Sequence, residues 1–201
     1  MILVPREGNF FMNYVLVGST TSPFVRRIRL AMETIPYDFK ALNIYEGEGK
    51  SEINTINPAN QIPCLLIDGK PLFDSRIILQ YLNRHHGQEV LTLEQENTLS
   101  TIERMVDAGV VIFMFRKSQL PFDNFYGERL LARIESVMTW LTPFLSSPAA
   151  KEWNSVTQML YSALDWMQFR DIHPRAQSTE VSHFLNFHRS RTIVKQTDPR
   201  N

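Results

Sequence analysis

The chain has 201 residues, 43% of them hydrophobic, and its 21 Lys and Arg balance its 21 Asp and Glu to a formal net charge of zero. That length buries a sizeable core as one large domain or two small ones, and the absence of a basic surplus argues against nucleic acid as a partner, because phosphate binding draws on Lys and Arg. The longest apolar run, Val110 to Phe115, falls far below the roughly 20 residues of a membrane span, and a single cysteine, Cys64, excludes an intrachain disulfide and a cysteine-based metal cage.

A soluble, cytoplasmic protein with no membrane partner is expected. Residues 1–11, MILVPREGNFF, hold neither the basic region nor the long apolar core of a secretory signal. Their LVPR stretch resembles part of a protease-site linker, and Met12 offers a second start. They are set aside as a leader or tag-derived segment.

From Asn13 to about Asn83 strands and helices alternate. YVLVG (Tyr14–Gly18) is a short β-rich run, and the helical spacing of Val25, Ile28, Ala31, Met32 and Ile35 predicts a helix over Ser22–Ile35 that Pro36 ends. Tyr37–Leu42 alternates as a half-buried strand. After a polar stretch, CLLI and KPLF flank Asp68-Gly69, a dipeptide suited to a two-residue hairpin turn. A helix from Ser75 through His85 follows, with Gly87 placed to cap its end. The order is βαβ, a connection, then ββα.

Beyond Gly87 long helical stretches take over: Glu94–Leu120, Asn124–Ser146, Ser155–Arg170 and Thr179–Arg191. Ile102, Met105, Val106, Gly109, Val110 and Phe113 make one apolar face of the first. The expected organisation is therefore an α/β domain over 12–84, a linker over 85–93 and an all-helical domain over 94–201.

Three motifs attract chemistry. Ser22-Pro23 reads first as a helix start, because serine is a favoured N-cap and proline a favoured first helical residue. In NPANQIPCLLIDG, a cis Ile62–Pro63 bond would turn the backbone of Ile62 outward to pair with an extended peptide; a trans proline at a strand start is the ordinary alternative. In FDSRIILQYL, Asp74 and Ser75 sit at a helix start, where hydroxyl and free N–H groups suit a carboxylate and Asp74 suits an ammonium. An ordinary N-cap explains the same residues.

Together TTSPFVRRIRLAM, INPANQIPCLLIDGKPLFDSRIILQYL and SALDWMQFR resemble the glutathione transferases, with an arrangement closest to small bacterial YibF-like members. The resemblance covers nearly the whole chain after Met12 and is strongest over Val15–Leu82. It implies a thioredoxin-like domain followed by a helical bundle, a cytoplasmic homodimer and a detoxifying enzyme. Its cofactor would be glutathione as co-substrate, with no metal.

The resemblance also assigns residues. Ser22 would donate a hydrogen bond to the glutathione thiolate. Ile62, before the family's cis-proline Pro63, would pair with the cysteinyl unit, and Gln61 would donate a hydrogen bond near the glycyl end. Asp74 and Ser75 would hold the γ-glutamyl head. Glu103 or Asp107 would reach the ammonium of a neighbouring subunit's glutathione, and Val106, Val110, Phe113 and Met114 would wall the electrophile pocket. Serine in the first slot argues against thiol–disulfide exchange. Many relatives have Gly-Lys where this chain has Asn60-Gln61. Where relatives begin a buried helix with Ser/Thr-x-x-Asp, Ser155–Gln158 is expected to form the capping box.

The leading function is a transferase in which activated glutathione attacks a small electrophile. The alternatives are a non-catalytic adaptor that binds a protein partner, and a glutathione-dependent isomerase. Cys64 is expected as a buried apolar residue, His85-His86 as a solvated helix end, and Arg26, Arg27 and Arg29 as side chains that point in different directions, most of them solvated or paired.

Overall fold

The computed structural model describes residues 12–87 and 90–201; the expected leader over 1–11, and Gln88 and Glu89 of the expected linker, lie outside the described residues. The N-terminal half runs β1 (Tyr14–Gly18), α1 (Pro23–Ala31), β2 (Asp38–Ala41), α2 (Gly47–Ile56), β3 (Cys64–Ile67), β4 (Lys70–Phe73) and α3 (Ser75–His86). Its sheet has the order β2-β1-β3-β4, with β1 parallel to β2 and antiparallel to β3, and β3 antiparallel to β4. This is a thioredoxin-like α/β domain.

Strand alternation assigns the two faces of the sheet. Tyr14 and Leu16 of β1 join the main core with Val25 and Ile28 of α1, whereas Val17 packs on the opposite face with Ile53 of α2 and Cys64 of β3. Asp68 and Gly69 take φ of 48° and 79° between β3 and β4. Positive φ at both central residues is the turn whose twist matches a hairpin.

The helical half comprises α4 (Leu93–Lys117), α5 (Phe125–Leu145), α6 (Ser155–Phe169), α7 (Thr179–His188) and α8 (Thr192–Gln196), with 3-10 turns over Pro148–Lys151 and Pro174–Gln177. Thr92 starts α4 through a reciprocal capping box with Gln95. α4 and α6 approach closely at Gly109, where a Cβ would sit 3.1 Å from the Trp166 ring. No helix among the described residues is long and apolar enough to cross a membrane.

Several expectations are corrected. The connection after β2 contains α2, a polar helix with Ile53 as its one buried residue and no side-chain cap at Glu46, so neither periodicity nor capping announced it. The first bundle helix stops at Lys117, before Gln119 takes φ of 54°. The last expected helix breaks after His188, and α8 follows as a separate piece. The capping box of α6 lies one residue earlier than expected: Asn154 accepts the N–H groups of Val156 and Thr157, and the Thr157 hydroxyl accepts the Asn154 N–H.

The two halves meet through α1. Arg26 and Arg27 are paired, and they are only 2% and 3% exposed. Arg26 pairs with Asp165 of α6 and donates to the Val194 carbonyl at 3.2 Å, while Arg27 reaches Glu103 of α4 at 3.4 Å. The Ser162 hydroxyl donates to the Pro23 carbonyl at 2.6 Å. These contacts fix the start of α1 against the bundle.

Candidate active site

A cleft of about 1140 Å³ opens between the start of α1 and helices α4 and α6. Ser22 lines it and is the N-cap of α1: its Oγ accepts the Val25 N–H at 3.3 Å, and Pro23 occupies the first helical position. A serine hydroxyl has one proton and two lone pairs. Accepting that amide engages a lone pair and leaves the proton available for donation. Two further hydroxyls, Ser19 and Thr21, line the same wall 3.2 Å apart, which the sequence reading did not single out.

On the facing side the Ile62–Pro63 bond is cis. Ile62 and Gln61 line the cleft, and Pro63 is buried behind them. The Gln61 carbonyl accepts from Asn57 Nδ2 at 2.8 Å, which pins the backbone just before the cis bond. Asp74 and Ser75 also line the cleft, at the start of α3. Asp74 is itself the N-cap of α3, its Oδ1 accepting the Arg76 and Ile77 N–H groups at 2.9 and 3.2 Å. Ser75 is the buried first residue of that helix.

Glu103, Arg104 and Asp107 bring α4 to the same end of this chain's own cleft. Glu103 is 7% exposed and lies within 3.4 to 3.6 Å of Arg27, Arg76 and Arg104. Arg104 also pairs with Asp107 at 3.1 Å. Burial pushes the Asp107 carboxyl above its ordinary range; Arg104 opposes the shift, and Glu103 and Asp74 add to it. Asp74, Glu103 and Asp107 thus form one acidic end, electrostatically coupled.

Of the four expected electrophile-pocket residues, Val110 and Phe113 line the cleft. Val106 does not: it is packed in the core, because its turn of α4 faces the bundle interior. Met114 lies outside the lining, with its sulfur 4.0 Å from the Tyr45 hydroxyl. The remaining wall is formed by Trp166, Phe169, Arg170, Arg116 and Lys117, with Tyr45 on the opposite lip. These come from the ends of two helices distant in sequence, and helical spacing within either one gives no sign that they converge.

The other reactive side chains are accounted for by packing. Cys64 is fully buried, and burial pushes its thiol up to about 11. His86 lies 3.0 Å from the Tyr14 hydroxyl, so that helix end is tied to the sheet. His188 is fully buried and lies 2.8 Å from the Ala150 carbonyl. Among the described residues no group of three or more His, Cys, Asp and Glu could hold a metal ion.

A thioredoxin-like sheet capped by a helical bundle, with a serine-tipped helix facing a cis-proline strand, is the glutathione transferase fold. Residues 16–90 match the family described as Glutathione S-transferase, N-terminal domain. A glutathione S-transferase from Methylobacillus flagellatus KT, solved with GSH bound, aligns with a TM-score of 0.79 over 93% of this chain and all of that one, at 20% identity. The chain thus carries the glutathione transferase fold, and its residues 16–90 match that family's N-terminal domain.

Relatives in sequence point two ways. The uncharacterized GST-like protein YibF of Escherichia coli K12 is 24% identical over 172 residues, 79% of this chain and 84% of that protein. The probable maleylacetoacetate isomerase of Caenorhabditis elegans is 35% identical over 60 residues, 30% of this chain and 28% of that protein. A Drosophila melanogaster protein of similar name is 31% identical over 110 residues, 52% of this chain and 48% of that protein. The chain spans about half or less of the length of these isomerases. The YibF match is longer and the isomerase matches are higher in identity, so the comparisons do not single out a YibF-like branch.

Proposed function

We propose that this protein is a glutathione-dependent enzyme acting on a small electrophile, and that it isomerises an activated double bond in preference to releasing a glutathione conjugate. The observation that carries the reading is Ser22, whose Oγ accepts the first-turn amide of α1 while lining the cleft. A sulfur placed there meets the serine proton and the positive end of a helix. Lowering a thiol pKa by about two units from ~8.5 corresponds to about 2.7 kcal/mol. One charge-assisted hydrogen bond at about 1.5–3 kcal/mol and a helix-end contribution of about 0.3–1 kcal/mol supply most of that.

The rest of the cleft suits the same ligand. Ile62 offers backbone, Gln61 an amide, and the acidic end formed by Asp74, Glu103 and Asp107 suits the ammonium of a γ-glutamyl head. Chemistry then follows from the thiolate. It adds to the carbon β to a carbonyl of a cis-enone, forming a C–S bond and an enolate. The former double bond rotates, and expulsion of the thiolate restores it as trans. No glutathione is consumed. Protonation at the α-carbon before expulsion would give a conjugate instead, which is the transferase outcome. The relatives named maleylacetoacetate isomerases support the first course.

The test uses cis-3-hexene-2,5-dione, a neutral substrate, with glutathione. Double-bond geometry is followed by NMR and thiol content by titration. Isomerisation is expected to be enzyme-dependent, with thiol retained and with a rate reduced in Ser22→Ala. Enzyme-dependent thiol loss would make the protein a transferase. Absence of saturable glutathione binding, together with no rate above background, would overturn the reading in favour of an adaptor.

A further inference from the structure

The cleft is polarised along α4. At one end lie Asp74, Glu103 and Asp107; at the other lie Arg116, Lys117 and Arg170. Glu103 and Asp107 are 9 to 14 residues from Arg116 and Lys117 on one helix, or roughly 14 to 21 Å at about 1.5 Å per residue. Arg104 offsets the acidic end through its pair with Asp107, and Arg27, Arg76 and Arg104 offset Glu103, which leaves Asp74 as the carboxylate of that end with no arginine of the described residues within 4.0 Å. None of the three distal cations lies within 4.0 Å of a carboxylate oxygen of the described residues.

A structural account of these cations is the neutralisation of helix ends, and it falls short. Arg116 and Lys117 sit in the last turn of α4 and Arg170 caps α6. Each helix C-terminus contributes about half a unit of negative charge, so the two ends together contribute about one. Asp171, which lines the same wall, contributes a second. Three cations face that, which leaves a surplus of about one positive charge.

The surplus is held in place. Arg116 donates to the carbonyls of Asp171 and Ile172 at 2.6 and 3.4 Å. The Arg170 guanidinium lies over the rings of Phe113 and Phe169, 4.9 and 4.4 Å from their centroids, and its buried Nε has no hydrogen-bond partner. The Lys117 ammonium sits 3.1 Å from the centre of the Tyr45 ring, which reaches over from the N-terminal half. A guanidinium fixed on aromatic faces presents a planar fork that matches a carboxylate, and the rings beside it offer a platform for a flat apolar body.

We infer that the second substrate is an unsaturated or aromatic carboxylic acid, with its anionic group on Arg170 and Lys117 and its conjugated body along Phe113 and Trp166, directed toward Ser22. This rests on the glutathione-dependent reading for the reaction, but the cationic end makes a prediction of its own. Glutathione's ammonium and the acid's carboxylate would occupy opposite ends of one cleft.

The probes are 4-(3-oxobutyl)benzoate and its methyl ester, neither of which has the activated double bond to which a thiol adds. Each is titrated by calorimetry into wild-type protein with and without glutathione, at low and high salt. The acid is expected to bind at least about tenfold more tightly than the ester at low salt, with the preference shrinking at high salt. Arg170→Gln should reduce the preference below about threefold, and Lys117→Gln, at an exposed position, should reduce it partially. Equal binding of acid and ester to wild type would overturn the inference. If glutathione itself fails to bind while the acid keeps its preference, the functional reading falls and the anion site stands.

Discussion

Arg27 of α1 reaches Glu103 of α4 at 3.4 Å, in a setting where the guanidinium is 3% exposed and its Nε and Nη2 find no other partner. Burial lowers the Arg27 pKa and Glu103 opposes that shift. The pair therefore depends on the carboxylate, which also lines the cleft. Removing one partner of a buried pair costs about 3–5 kcal/mol, because the survivor is left charged and unpaired. Glu103→Ala is expected to lose stability of that order in urea denaturation. Arg27→Met with Glu103→Leu should recover much of it, and glutathione affinity should not return with the fold.

Ser22→Ala removes the donor and the α1 cap together. The cap costs about 1 kcal/mol of stability. The donor's loss is expected to raise the pKa of bound glutathione and slow turnover by a factor of roughly 10 to 150, the equivalent of about 1.5–3 kcal/mol. Near-ultraviolet thiolate absorbance against pH reads the first, and steady-state rates read the second. Thr21→Val should leave both within about threefold if Thr21 is not a second donor.

Asp165 joins α6 to α1 and to the chain's last residues. It accepts from buried Arg26 and from Arg200, whose Nη1 and Nη2 lie 3.0 and 3.1 Å away. Asp165→Ala strands Arg26, and a loss of about 3–5 kcal/mol is expected. Arg200→Ala removes a half-exposed partner, where screening holds the loss to about 1 kcal/mol. Thermal unfolding of the two variants side by side checks the contrast.

Asp107 gives a pH dependence of opposite sign to an ordinary paired carboxylate. Its folded pKa lies above the ordinary 3.8, so between those values the folded state binds more protons than the unfolded one, and stability falls as pH rises. The penalty is complete at neutral pH and absent below the unfolded pKa. Asp107→Asn is expected to stabilise by no more than about 0.5 kcal/mol at pH 7, since the side chain is partly exposed and loses its Arg104 pair. That gap should close near pH 3.

The sequence alone carried the local devices. Ser22-Pro23, Asp68-Gly69 and Gly87 announce a helix start, a hairpin turn and a helix end because each depends on the conformational or hydrogen-bonding preference of one or two residues. Alternation over Tyr14–Gly18 and helical spacing on α4 assign buried faces for the same reason. The motifs around Ser22, Ile62-Pro63 and Asp74-Ser75 were also legible, since each is a short contiguous stretch. What the sequence left open was decided between distant segments. Val106 and Val110 are one turn apart on α4, yet the first packs in the core and the second lines the cleft, because the bundle sets that helix's rotation. Whether Arg26 and Arg27 are solvated or paired is decided by Asp165, 139 residues from Arg26, and Glu103, 76 residues from Arg27, which pair them. The cationic end of the cleft exists only where the ends of α4 and α6 converge, and no local spacing encodes that meeting.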